Sequence, residues 1–203
     1  NSMLIHLSRF QSWQNEIKEL VDELFQFYKH EIEANDAQMY ESLRAIFEID
    51  SATYTSYVTT TNSILSSSLS NIDNNIKIHK WEEIKPLINK AVQKIVVKSI
   101  NGSSGDVIDY QQNEKIGISV IAIGGDKLSR GLTLEGLSIS YFLRASKMYD
   151  TLMQMGRWFG YRSGYVDSCR LFTSPELNEW FRHITLASEE LREEFNYLAE
   201  SGQ

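Results

Sequence analysis

Ile123-Gly-Gly-Asp-Lys-Leu-Ser-Arg-Gly-Leu-Thr-Leu-Glu-Gly136 separates two short apolar runs, Ile118 to Ile123 and Leu137 to Leu143. Apart from Ser119, Ser138 and Ser140 both runs are apolar, and short apolar runs of this kind suit strands buried on both faces of a parallel sheet. Similar runs occur at Met3 to Leu7, Ile95 to Val97 and Cys169 to Phe172. Strands are therefore expected near 3–7, 94–99, 117–123, 137–143 and 168–172. The implied fold is α/β, an open, mostly parallel sheet with helices on both faces.

Outward from the sheet, the spacing of apolar residues becomes helical. Ile17, Leu20, Val21, Leu24, Phe25 and Tyr28 recur at helical intervals, predicting a helix from about Gln11 to Tyr28. Residues 34–90 read as a helical insertion, with a stripe of Tyr40, Leu43, Ile46 and Phe47 and polar connections around Ile64, Leu65 and Leu69. The cluster Ser66 to Ser68 is either a plain connector or a functional loop. Asn101 to Gly105 reads as a turn, Asp150 as a helix cap, and Pro175 opens a last helix running toward Leu198. The whole, 1–203, is expected to be a single lobe carrying the insertion.

With 203 residues and 42% hydrophobic content, the chain is long enough for one sizeable core. No run approaches a membrane-spanning length, and the start lacks a basic flank followed by an apolar signal core. Cys169 is the only cysteine, and four scattered histidines do not give a zinc-ligand spacing. The cytoplasm is the expected compartment, with no membrane partner. A net charge of -7 argues against the whole surface binding nucleic acid. Between Gly117 and Thr173, however, seven basic residues stand against four acidic ones, whereas the tail after Ser174 is glutamate-rich and reads as the solvated face of a helix.

Two segments carry chemistry. A glycine pair, Gly124 and Gly125, at the carboxyl end of a buried strand lets backbone amides approach a phosphate, with Arg130 supplying charge and Gly131 freedom. A tight strand-to-loop turn explains the same residues. The second segment, Tyr149-Asp-Thr-Leu-Met-Gln-Met-Gly-Arg-Trp-Phe-Gly-Tyr-Arg162, places Arg157 and Arg162 five apart, and arginine forks suit phosphate contacts. Trp158, Phe159 and Tyr161 either stack on a base or belong to the core. No Gly-x-x-x-x-Gly-Lys-Ser/Thr phosphate loop occurs, so the chain is not expected to hydrolyse nucleotide alone.

Together the two segments resemble motifs five and six of superfamily-two helicases. Gly125, Asp126, Arg130, Gly131 and Thr133 stand at the places of the first motif. In the second, Gly156 and Arg157 match, while Gln154 lies one residue too close and Arg162 two residues too far. The strings 124–137 and 150–162, with His6-Leu-Ser-Arg9 near the start, are also similar to the bacterial Z-one domain family. That family carries an endonuclease label and accompanies helicase-type ATPase segments in larger proteins, some in restriction or phage-defence settings. The resemblance implies the second RecA-like lobe of such an ATPase. Arg157 and Arg162 would then be catalytic arginines at the γ-phosphate, and Arg130, Gly131, Thr133 and Gln154 would border the nucleotide. Gly124, Gly125, Asp126 and Lys127 would face nucleic acid, taken as DNA. ATP and Mg would be completed by the phosphate-loop lobe of the same longer protein.

Two other classes remain open. The endonuclease label needs metal-binding carboxylates near a lysine, and the nearest set is Asp109, Glu114 and Lys115. Glu114 and Lys115 are adjacent, on opposite sides of any strand, which is the wrong spacing for a restriction-type cradle. His6 with Arg9 either reaches a phosphate or forms a polar cluster at a strand end. The third class is a non-catalytic scaffold whose insertion docks a partner.

Overall fold

The computed structural model describes residues 1–6, 11–71, 73–100, 117–125, 134–143 and 162–201. Five strands form one sheet: β1 (Ser2–His6), β2 (Ile95–Ile100), β3 (Ser119–Gly124), β4 (Leu137–Phe142) and β5 (Arg170–Thr173). Their order is β2-β3-β1-β4-β5 and every pairing is parallel. Each strand falls within two residues of its expectation, but only β1 and β3 are mostly buried; β2 and β5, at the two edges of the sheet, keep Val96, Lys98, Leu171 and Phe172 exposed.

Register assigns the faces. His6 pairs with Gly124 on one side and with Phe142 on the other, so Leu4, His6, Ala122, Gly124, Ser140 and Phe142 share one face. That face holds the core of Leu4, Ile100, Val120, Ala122, Leu134 and Leu137. It also receives α5 (Pro175–Ser201), whose Leu177 and Ile184 close over Phe142 with Trp180 and Phe181. Burial of side chains this size contributes about 1.5–3 kcal/mol each, enough to fix the first turns of α5 on the sheet.

The opposite face carries Met3, Ile5, Ile121, Ile139 and Tyr141. Over its β2–β3 half lies α1 (Gln11–Glu33), fastened near one end by Ser99 Oγ donating to Asn15 Oδ1 at 3.3 Å. Toward the other end Lys29 Nζ donates to the Ile95 carbonyl at 3.2 Å, so α1 runs antiparallel to β2. Helices thus stand on both faces.

The region read as an insertion contains α2 (Ala37–Glu48), α3 (Tyr57–Leu65) and α4 (Trp81–Gln93). Asn35, at φ 54°, turns the chain out of α1, and Asp36 caps α2 by accepting from the Met39 N–H at 2.7 Å. Tyr40 and Trp81 then bury against Ile32 of α1, with Phe47 6.1 Å from the Trp81 ring. Residues 34–90 therefore share a core with α1. The Ser66–Ser68 cluster works as a connector: the Ser66 and Ser67 hydroxyls donate back to the Asn62 and Ile64 carbonyls, ending α3. Among the described residues, no helix is long and apolar enough to cross a membrane.

Candidate functional site

Three neighbouring strands end together at the carboxyl edge of the sheet: β3 at Gly124, β1 at His6 and β4 at Phe142. From β1 the chain goes on to β2 on one side, and from β4 to β5 on the other. The edge between β1 and β4 is thus a switch point of the kind where open parallel sheets bind ligands. The Leu143 N–H donates to the His6 carbonyl at 3.3 Å, which holds the start of the segment after β4 against β1. The two motifs accordingly leave the sheet from one edge, the first after Gly125 and the second after Leu143, on either side of β1.

The floor of this edge is packed. His6 has no exposed surface; its ring stacks on Phe142 at 5.2 Å and 24°, and Phe142 meets Phe181 edge-on at 6.4 Å. Gly124 and Gly125 are both buried. They form part of the wall beneath the edge. Asp126, Lys127, Arg130, Gly131, Thr133, Gln154, Arg157, Trp158, Phe159 and Tyr161 lie outside the described residues, as do Arg9, Asp109, Glu114, Lys115, Asp150 and the turn from Asn101 to Gly105. For a nucleotide with magnesium, the described part of the edge offers only a side-chain-free strand end beside a buried ring. Among the described residues no three His, Cys, Asp or Glu side chains gather to hold a metal ion.

Arg162 is at the other end of the sheet. Its guanidinium lies over Gly136, the residue before β4, and 5.6 Å from the Tyr165 ring centroid. The Tyr165 hydroxyl donates to Asn1 Oδ1 at 3.2 Å, and the Ser2 N–H donates to the Gly136 carbonyl at 2.8 Å. These are amino-edge residues, and roughly 15 Å of strand separates them from the carboxyl edge. The structure does not bring Arg162 to Gly124 and Gly125. Arg162 stands at the amino edge because it shortly precedes β5, which runs parallel to β4.

Sequence reasoning missed the latch just after Arg162. Asp73, buried, accepts from the Gly164 N–H at 2.6 Å, the Ser163 hydroxyl at 2.8 Å and the Asn75 N–H at 3.0 Å. The Gly164 N–H above all, then the Asn75 N–H and the Ser163 hydroxyl, hold its carboxyl below the usual aspartate range against the opposing effect of burial. Gly164 has φ 76° and packs against Asn75, whose side-chain amide donates to Ser163 Oγ at 2.7 Å. A second contact lies beside it: Thr61 Oγ1 donates to Asp167 Oδ2 at 2.8 Å, and Arg170 sits 4.1 Å over the Tyr57 ring while donating to Thr60 Oγ1 at 3.2 Å. Burial pushes the Tyr57 hydroxyl up, with Arg170 opposing. A cavity of about 260 Å³ remains between α3 and the chain at Asp167, walled by Phe47, Tyr57, Lys77 and His79. Within Asn71-Ile-Asp-Asn-Asn75, the Asp73-to-Asn75 bond is a turn signal visible in the sequence. Its partners 90 residues away are not.

No curated protein and no solved structure matches this chain. A family model does: the Z1 domain model matches residues 1–203, the full length, and the chain belongs to the Z1 domain family.

Proposed function

We propose that this chain is the partner lobe of a larger nucleic-acid-dependent ATPase, completing a nucleotide site whose phosphate loop stands on another lobe of the same protein. The observation that supports this reading is the departure of both motif segments from one edge of a parallel sheet, flanking β1 at a switch point. Arg157 is assigned to the γ-phosphate, with Arg130, Gly131, Thr133 and Gln154 bordering the nucleotide. Asp126 and Lys127 face the nucleic-acid backbone, and DNA is the proposed partner. Gly124 and Gly125, being buried, shape the edge and do not touch the ligand. Arg162, at the amino edge, is left out of the site.

ATP bound with magnesium would supply the transferable phosphoryl group; what this chain adds is charge and position. An arginine fork held at the γ-phosphate meets negative charge that grows in the transition state, so its contribution appears in turnover more than in binding. In the longer protein, Arg157→Ala is expected to cut DNA-stimulated ATP turnover by on the order of 10³ or more while ATP binding and the melting temperature stay near wild type. Full turnover in the folded variant would overturn the assignment.

A further inference from the structure

On the face opposite α5, a groove of about 750 Å³ opens between α4 and β4. Its floor is apolar, made by Met3, Ile121 and Ile139, and Leu87, 62% exposed, stands at its wall. Lys90 and Lys94, both exposed, line the same wall, and neither pairs with a described carboxylate. Helix α1 covers the β2–β3 half of this face and stops short of the floor over β1 and β4.

Helix α5 presents the complementary surface. Leu177, Ile184, Leu191 and Leu198 recur every seven residues, with Phe181 and Phe195 beside them on one stripe. The first half of that stripe is buried on Phe142. The second half is bare: Leu191 is 53% and Phe195 61% exposed, and every residue from Glu189 to Ser201 is exposed. Around it stand Glu189, Glu190, Glu193 and Glu194, with Arg192 among them. A helix that continues an apolar stripe beyond its own core for about four turns gains little stability unless something covers the stripe.

We propose that the second half of α5 in one copy of this chain docks in the Lys90 and Lys94 groove of a second copy, placing Leu191 and Phe195 on the apolar floor and the glutamates against the lysines. Charge selects this pairing. Two such arms side by side would set four glutamates against four, whereas the groove offers lysines. The arm cannot enter its own groove, because α5 begins on the opposite face of the sheet and is one continuous helix of 27 residues. Two copies exchanging arms fill both grooves and close into a dimer.

The test is the molar mass of this chain by light scattering after size exclusion across micromolar concentrations, with circular dichroism and melting curves as fold controls. Wild type is expected to be a dimer whose dissociation constant rises with salt. Leu191→Glu with Phe195→Glu is expected to be a folded monomer. Lys90→Glu with Lys94→Glu is expected to weaken the dimer about tenfold or more, and adding Glu193→Lys with Glu194→Lys to restore it. A monomeric wild type, a dimer indifferent to the lysine reversal, or a charge swap that does not restore association would each overturn the proposal.

Discussion

The Arg162 guanidinium lies so close over Gly136 that a Cβ there would stand 2.6 Å from Nη1 and 3.1 Å from Nη2. Gly136 is held at φ 69° between Glu135, whose carbonyl accepts the Ser2 hydroxyl at 2.8 Å, and β4. The end of the second motif is thus fastened to the turn that enters β4, at the sheet edge opposite the one from which the motif departs.

That turn makes two demands on residue 136, a left-handed backbone and room for the guanidinium. The arginine tip is flexible and can retreat, whereas the Asn1 Cα, 3.1 Å from the same Cβ position, is backbone, so the left-handed conformation and this backbone contact decide the cost. Gly136→Ala is expected to destabilise by about 1–2 kcal/mol, and Gly136→Asn by less, since asparagine tolerates this conformation best after glycine. Thermal melts should rank wild type above Asn and Asn above Ala, with each kcal/mol near 2–4 °C. Equal melting temperatures for all three would mean that the turn at 136 does not bear on folding.

Asp73 predicts the acid limb of the stability curve. Its carboxyl is held below the ordinary value of 3.8, chiefly by the Gly164 N–H. A carboxyl depressed in the folded state binds its proton more readily when unfolded. The stability it contributes is therefore complete above that ordinary value and is lost as pH falls through the lower folded value. Asp73→Asn should melt lower than wild type at neutral pH and show a shallower loss on acidification, because one of the groups that responds to acid is gone. Parallel acid limbs in the two proteins would show that Asp73 is not the carboxylate responsible.

Ser140 offers the opposite sign. Its side chain is completely buried within β4, and Oγ has no hydrogen-bond partner. Deleting a hydroxyl that gains nothing in the folded state removes its desolvation cost, and the small void left by one oxygen is cheap beside that cost. Ser140→Ala is expected to stabilise by about 1 kcal/mol and to raise the melting temperature by roughly 2–4 °C. Ser140→Val adds volume to the tight face shared with Leu4 and should lose that gain. A destabilised alanine variant would mean that the hydroxyl has a role in folding.

The strands were legible because each is a short, mostly apolar run bounded by turn or helix signals, and Ile118 to Ile123, broken only by Ser119, admits few other readings. The sheet edge from which the motifs leave was legible too, since Gly124 and Gly125 follow a strand directly. The return of the second motif was not: a run of residues through Arg162 carries no mark of where the chain crosses back, and only the pairing of Arg162 with Gly136 reveals it. The same holds for Asp73, whose local turn is written in its neighbours while the Ser163–Gly164 turn it binds depends on how α3 and α4 fold beside the sheet. The glutamates after Ser174 read as the solvated face of a helix, and α5 is indeed solvated there, but the heptad stripe of Leu177, Ile184, Leu191 and Leu198 was not separated from the part that packs.

The two arginines of the second motif give the sharpest separation of function from folding. Arg162 lies at the amino edge over Gly136 and near Tyr165, away from Gly125. Arg162→Ala in the longer protein should therefore act on the scaffold: a lower melting temperature, with per-molecule ATP turnover within a few-fold of wild type for the folded fraction. Arg157→Lys should do the reverse, keeping the melting temperature and restoring little turnover, because a point charge does not reproduce the planar fork. Both variants are read by turnover beside a melting curve under one set of conditions. If Arg162→Ala removes turnover at full stability while Arg157→Lys retains it, the catalytic arginine has been assigned to the wrong position, and the amino edge must be the one that meets the other lobe.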